Sequence, residues 1–309
     1  MKLKKAASFA TEIKSKLKRL FLSVKINLLV IFKLTFKIAS VLFGLYGILF
    51  LFFSWEEIGD FSICFRIIFM CLNIVFSFVI SVLCVWVRKQ KLIWENGTGK
   101  IVAAYGDILK KGFSKNDGKK KIVVIPVNTH FDTIVDDEIS GDNNPLVSPN
   151  TIHGQWIKKM LEIYSLEQIN DNIEQSLSKI QKSGINDSER ERGNKISYPT
   201  GTIATVKGKN GVTFFLLALS KFDDKNNAHC SDSEYIEAIM KLVEFYNSKG
   251  QGYPIYIPLM GTNLSRTGLS HELAYKKMIS ILELESNNIH GSVNVVVYNK
   301  EKHKVSIWK

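Results

Sequence analysis

Two apolar runs within the first ninety residues limit what this chain can fold into more than any other feature of it. The first, IASVLFGLYGILFLFF, covers 38–53, and the second, FSICFRIIFMCLNIVFSFVISVLCVWV, covers 61–87. A helix needs about 20 apolar residues, at ~1.5 Å each, to cross a bilayer. The first run reaches that length only by starting near Ile26, which puts Lys33 and Lys37 at its start, where they snorkel to the headgroups. We therefore expect spans at about 28–53 and 61–87, forming a transmembrane hairpin over 26–95. Trp55 and Trp86 fall where an interfacial aromatic belt would place them.

The flanks suggest an orientation. Lys2, Lys4, Lys5, Lys14, Lys16, Lys18, Arg19 and Lys25 crowd a basic segment, 1–25, and Arg88, Lys89 and Lys91 follow the second run. The link SWEEIGD holds Glu56, Glu57 and Asp60 and no basic residue. The positive-inside rule then puts both termini of a multi-pass membrane protein in the cytoplasm. A basic tail next to a span meets anionic lipid rather than nucleic acid. Phe53 is followed by no small-x-small cleavage site and a second long run comes next, which argues against a signal peptide. Within the runs, Arg66 is near the outer end and Asn73 lies deeper, where its amide needs a partner inside the hairpin or on another protomer. No charged relay or inverted repeat marks a transporter.

Residues 96–309 suit one further domain. Strand-like runs occur at 101–105, 121–127, 200–206, 212–219, 253–259, 293–299 and 303–308, and helical patterns near 150–164, 166–182, 232–248 and 268–285. VVIPV and FFLLAL are apolar throughout, as in strands covered on both faces, so the expected fold is a three-layer α/β/α sandwich with a mixed sheet. Ser231 and Glu234 form a capping-box pattern. Residues 181–195 are polar without apolar period, as in a surface loop or insertion. Cys64, Cys71 and Cys84 lie in the second run and Cys230 stands alone, so no disulfide framework, zinc ribbon or Cys-x-x-Cys pair is available.

Catalytic signatures are missing. There is no Gly-x-Gly-x-x-Gly, no P-loop, no His-Glu-x-x-His and no Gly-x-Ser-x-Gly, and the six histidines have no metal-ligand spacing. Three loops instead suggest a binding cleft. VNTHFDT brings Asn128, Thr129, His130, Phe131 and Asp132 directly after a buried strand, where ligands of α/β sheets sit. PLMGTNLSRTGLS leads from a strand to a helix, and Gly261, Thr262, Asn263, Leu264, Ser265, Arg266, Thr267 and Gly268 offer amides and a cation to a phosphate. SPNTIHGQW opens another helix with His153, Gly154 and Gln155. Each also reads as an ordinary turn or helix start.

The order of YGDILK, the strand ending Val127-Asn128 and the late Gly-Thr loop resembles the macro domain, a three-layer ADP-ribose-binding fold. The resemblance implies that Asp107, with Ile108 beside it, binds adenine, that Asn128 approaches the distal ribose and that 261–268 wraps the diphosphate. The usual Asn-Ala-Ala-Asn run is replaced by Asn128-Thr129-His130-Phe131, and the Gly-Gly-Gly stretch of hydrolytic members is missing. With the two spans, VNTHFDT, HGQW and PLMGTNLSRTGLS are similar to the membrane-anchored macro effectors of the Thoeris anti-phage defence system. That likeness implies a signalling ligand, an ADP-ribose conjugate carrying histidine, made from NAD by a TIR-domain partner. It implies no other cofactor and no metal. The ligand-gated effector would sit in the bacterial inner membrane, form a homo-oligomer, disrupt that membrane and cause abortive infection. Lys33, Lys37, Arg66 and Asn73 are candidates for lining or joining that assembly. Two other readings share the cleft: a membrane-tethered ADP-ribosyl hydrolase, using His130 and Asp132, and a passive scaffold that docks ADP-ribosylated proteins.

Overall fold

The computed structural model describes residues 2–53, 59, 62–114, 118–136, 145–188, 190–223, 228–262 and 269–309. The link residues Trp55, Glu56, Glu57 and Asp60, and the loop residues Asn263 to Gly268, lie outside the described residues. Two compact units result, Met1–Lys89 with Lys300–Lys309, and Gln90–Asn299.

The first unit contains α1 (Lys2–Ile26), α2 (Leu28–Leu49) and α3 (Ile63–Val87). The basic segment is thus helical, and α1 gives way to α2 at Asn27. Helices α2 and α3, of 22 and 25 residues, are long and apolar enough to cross a membrane. Their facing sides are small or polar: Ala39, Ser77, Ser81 and Asn73 are buried. Phe36, Leu51 and Ile63, by contrast, are at least 73% exposed. In water this arrangement would strand apolar surface; against lipid, close approach of small residues is what holds helices together. Asn73 finds its partner inside the hairpin, accepting from Tyr46 Oη at 2.9 Å while its Nδ2 donates to the Phe69 carbonyl at 2.8 Å. Of the two partners open to it from sequence, it takes the one within its own chain.

In the second unit the chain runs β1 (Gln90–Glu95), β2 (Gly99–Gly106), α4 (Ile108–Phe113), β3 (Lys121–Asn128), α5 (Ile152–Leu161) and α6 (Leu166–Leu177). It continues through β4 (Ile185–Asn186), β5 (Ile196–Ser197), β6 (Ile203–Lys207), β7 (Val212–Phe222), β8 (Ala228–His229) and α7 (Asp232–Lys249), and then β9 (Ile255–Pro258), α8 (His271–Leu284) and β10 (Gly291–Tyr298). The main sheet has the order β1-β2-β10-β9-β3-β7-β6, with β8 paired to β7. Strands β2, β10, β9, β3 and β7 are parallel, while β1 and β6 are antiparallel edges, so the sheet is mixed. The alternation along β3 and β7 explains the layering. Val123, Ile125, Val127, Phe214, Leu216 and Ala218 face one core with Ile108, Trp156, Ile157, Met160, Ile169 and Ile173 of α4, α5 and α6. On the opposite face Phe215 meets Phe245 of α7 edge to face at 5.1 Å. Ser231 caps α7 with Glu234 in a complete capping box, as its sequence pattern predicts.

Three expectations change. The run 303–308 is not a strand; it is a turn-rich tail whose Val305 and Ile307 are fully buried in the first unit. Alternating apolar residues predict burial on one side, which an extended tail satisfies as well as a strand does. The sheet also starts before residue 96, because Gln90–Glu95 pairs antiparallel with β2. This strand follows α3 after only Arg88 and Lys89, so the second apolar run hid its beginning. Finally α2 ends at Leu49 rather than at Phe53.

Tyr46→Phe and Asn73→Ala are each expected to weaken the hairpin by about 0.6–2 kcal/mol, with no further loss when combined. Unfolding in bicelles by steric trapping measures this; additive losses would mean that the two side chains act separately.

Candidate functional site

Parallel strands put their carboxyl ends on one edge of the sheet. That edge carries Asp107 after β2, Asn128 ending β3 and Leu259 to Thr262 after β9. Strands β3 and β9 are neighbours whose following helices leave on opposite faces. A crevice opens at such a reversal, which is where ligands of open α/β sheets bind. Asp107 belongs to a strand three places from β3, roughly 14 Å along the edge at ~4.8 Å per strand.

The loop after β3 is held by a buried carboxylate. Asp132 has no exposed side-chain surface. It accepts from Asn128 Nδ2 at 2.8 Å, from the Asn194 amide at 2.8 Å, and from Arg190 Nη1 and Nη2 at 3.2 and 2.7 Å. Asn128 Oδ1 in turn accepts from the Asp132 amide at 3.1 Å, so the two residues fix each other. A forked guanidinium contact is the strongest pairing available to a buried carboxylate. Phe131 sits between them at φ 51°, a left-handed conformation, fully buried and edge-on to Tyr198 at 5.7 Å. Such strain persists only where the surroundings over-determine the backbone. Here they do: Asn194 Nδ2 donates to the carbonyls of His130 and Phe131 at 3.0 and 3.1 Å. The Tyr198 amide reaches the Thr129 carbonyl at 2.9 Å, and Ser197 Oγ donates to Thr129 Oγ1 at 3.2 Å.

Two buried imidazoles border this carboxylate. Burial pushes His153 down to about 4, opposed by Asp132. His130 is also lowered, by burial first and by Arg190 second, against Asp132 and Asp187. Its ring nitrogens have no hydrogen-bond partner among the described residues, and Nε2 lies 3.8 Å from Asp187 Oδ2. Both rings are thus neutral near pH 7, each with one donor and one acceptor.

The other residues singled out from sequence are placed variously. Asp107 is half-buried and caps α4, its Oδ1 accepting from the amides of Leu109 and Lys110 at 3.0 and 3.3 Å. Ile108 points into the core. Gly154 is needed for packing, because a Cβ there would fall 2.3 Å from the Ser148 carbonyl oxygen. Gln155 is exposed, with Nε2 on the Asn150 carbonyl at 3.1 Å. Gly261 is buried at φ 82°, which favours glycine, and Thr262 is half-buried. Arg190, Gly193 and Asn194 were not legible. They lie in the charged stretch read as a surface loop, and the ribbon of β4 and β5 carries that loop onto Asp132. A Cβ on Gly193 would meet Asp132 Oδ1 at 2.3 Å, so the backbone packs directly on the carboxylate. The available signal was Asp132 itself, since a carboxylate directly after a buried strand demands a cation.

A mixed sheet covered by helices on both faces is the architecture of a macro-type domain. Residues 101–298 match the family described as Thoeris protein ThsA, Macro domain, and the chain belongs to that family. The Thoeris protein ThsA of Bacillus amyloliquefaciens (strain Y2) is 25% identical over 211 residues, covering 65% of this chain and 65% of its own length. Among solved structures, a mutant of the Oceanobacillus iheyensis macrodomain is similar at 12% identity and a TM-score of 0.40, covering 70% of this chain and 93% of its own. The Oceanobacillus iheyensis macrodomain with ADP gives 12% identity, a TM-score of 0.38 and the same coverages.

Arg190→Gln leaves Asp132 buried without its cation and is expected to cost about 3–5 kcal/mol; adding Asp132→Asn should recover part of this. Urea unfolding of the full chain in detergent measures both, and an unchanged midpoint for Arg190→Gln would contradict the geometry. Because the folded protein resists protonating His153, its stability contribution is intact above pH 6.5 and is lost progressively as pH falls towards 4. The loss should reach about 3 kcal/mol. His153→Gln should flatten this part of the stability–pH curve.

Proposed function

We propose that this chain is an anti-phage effector of a Thoeris system. Its second unit binds an ADP-ribose-derived signal, and its helical hairpin carries the response into the inner membrane. The observation that supports this most is the shared sheet edge, where Asp107, the Asn128–Asp132 loop and the left-handed Gly261 all follow parallel strands. Amides of the 261–268 loop would hold the diphosphate, Asp107 the adenine and Asn128 the distal ribose. His130, neutral and without a partner among the described residues, offers a hydrogen bond to a polar tail such as histidine. The ligand would come from a TIR-domain partner.

In this reading α2 and α3 span the membrane with both termini cytoplasmic, as their basic flanks favour. Two spans cannot enclose a pore, so lethality requires several hairpins to gather. A safe resting state needs a strong preference, since moving from 1:99 to 99:1 takes about 10⁴-fold tighter binding to the active form. Lys33, Lys37, Arg66 and Asn73 are candidates for contacts between copies, Asn73 being bonded to Tyr46 within the hairpin. We read the site as a sensor rather than a hydrolase, because both oxygens of Asp132 are already engaged by donors and the carboxylate is poorly placed to activate water.

The test is calorimetric titration of the full chain in nanodiscs with ADP-ribose and its histidine conjugate, paired with dye release from vesicles. Binding with dye release supports the proposal; no binding of either compound defeats it. Turnover of ADP-ribosylated protein would favour the hydrolase instead. Asp107→Asn keeps an acceptor for the α4 cap but removes the charge, so it should weaken ADP-ribose binding about tenfold or more while leaving stability nearly unchanged.

A further inference from the structure

The last ten residues belong to the helical unit, although they continue directly from a central strand of the other. Val305 and Ile307 are fully buried and Ser306 nearly so. Ser306 Oγ donates to Asn27 Oδ1 at 2.5 Å, and Asn27 Nδ2 donates to the Ser23 carbonyl at 2.8 Å. Asn27 is the elbow between the basic helix α1 and the apolar helix α2, and it is 2% exposed. Ile31, one turn further along α2, is 1% exposed on a helix that otherwise shows most of its surface. Lys302 lies over the Trp86 ring at 5.5 Å, near the end of α3. The tail therefore touches the elbow and the end of the second apolar helix at once.

We propose that residues 300–309 form a strap that holds the α1–α2 elbow in a resting geometry and loosens when the sheet edge is occupied. This rests on the ligand reading given above. The route is covalent. The Leu259 amide, at the start of the Gly261 loop, donates to the Val296 carbonyl of β10 at 3.0 Å. Four residues after Val296, at Lys300, the chain enters the strap within a short 3-10 turn, Asn299–Glu301. A ligand that reorders 259–262 acts on the end of β10, and β10 continues into the strap. The docked tail is also imperfectly satisfied, since Trp308 Nε1 is buried with no acceptor among the described residues. A contact that leaves a buried donor unmet is one that can be released.

Coupling between two sites is reciprocal. If the ligand favours the undocked strap, fixing the strap in place must weaken the ligand. The experiment replaces Asn27 and Ser306 by cysteine in a full chain whose Cys64, Cys71, Cys84 and Cys230 are replaced by alanine. Oxidation closes a disulfide at the site of the hydrogen bond, checked by mass spectrometry. ADP-ribose and its histidine conjugate are titrated before and after reduction, in nanodiscs of phosphatidylethanolamine and phosphatidylglycerol. We expect the oxidised protein to bind at least about fivefold more weakly than the reduced one. Ile307→Asp, which ejects the tail, should bind more tightly than the parent and raise dye release without ligand. Equal affinity in the oxidised and reduced forms would overturn the strap while leaving the ligand reading intact. No binding by the reduced protein or by the unmodified chain would instead overturn the ligand reading, and the strap with it.

Discussion

The buried carboxylate of Asp132 is the interaction on which the candidate site depends. An unpaired charge at that depth would cost several kcal/mol. Four donors from three residues remove that cost, and in doing so they set the geometry of everything near them. Asn128 can point only one way, because it is bonded to Asp132 through both ends of its amide. Phe131 is kept left-handed, and the ribbon of β4 and β5 is pinned over the loop. Burial lowers the pKa of the two histidines beside it, against the pull of Asp132 itself. One charge pair thus fixes backbone shape and side-chain orientation together.

The two units meet opposite physical demands. In the sheet unit, apolar side chains are buried between layers and polar groups mark the edge where strands end. In the hairpin, most apolar side chains are exposed while Thr35, Asn73, Ser77 and Ser81 are buried, with Ser77 and Ser81 bonded to carbonyls one turn back. Such intrahelical bonds satisfy hydroxyls without requiring water, which suits a helix surrounded by hydrocarbon.

Much of this was legible in the sequence, for identifiable reasons. VVIPV and FFLLAL are long enough and apolar enough that only a doubly covered strand fits them, and β3 and β7 are those strands. The helix start at Ser231 carries the side-chain cap that the sequence spells out. Arg190 was hidden because nothing local separates it from its neighbours Glu191 and Arg192; its role comes from Asp132, 58 residues earlier. The tail reads as a strand because Val305 and Ile307 show a strand's spacing, while the partner of Ser306 between them lies 279 positions away at Asn27. Pattern reports which residues seek burial, but the choice of partner is a tertiary matter.

Strand order carries a consequence for how the molecule is made. The last strand, β10, is inserted between β2 and β9 rather than added at an edge. Until it leaves the ribosome, β2 and β9 have a gap between them and the sheet cannot close. Helices α2 and α3 emerge long before, so they can form while the sheet is still incomplete. The sheet is complete only once Gly291–Tyr298 has been made, and a chain cut before that strand lacks a central member of the sheet.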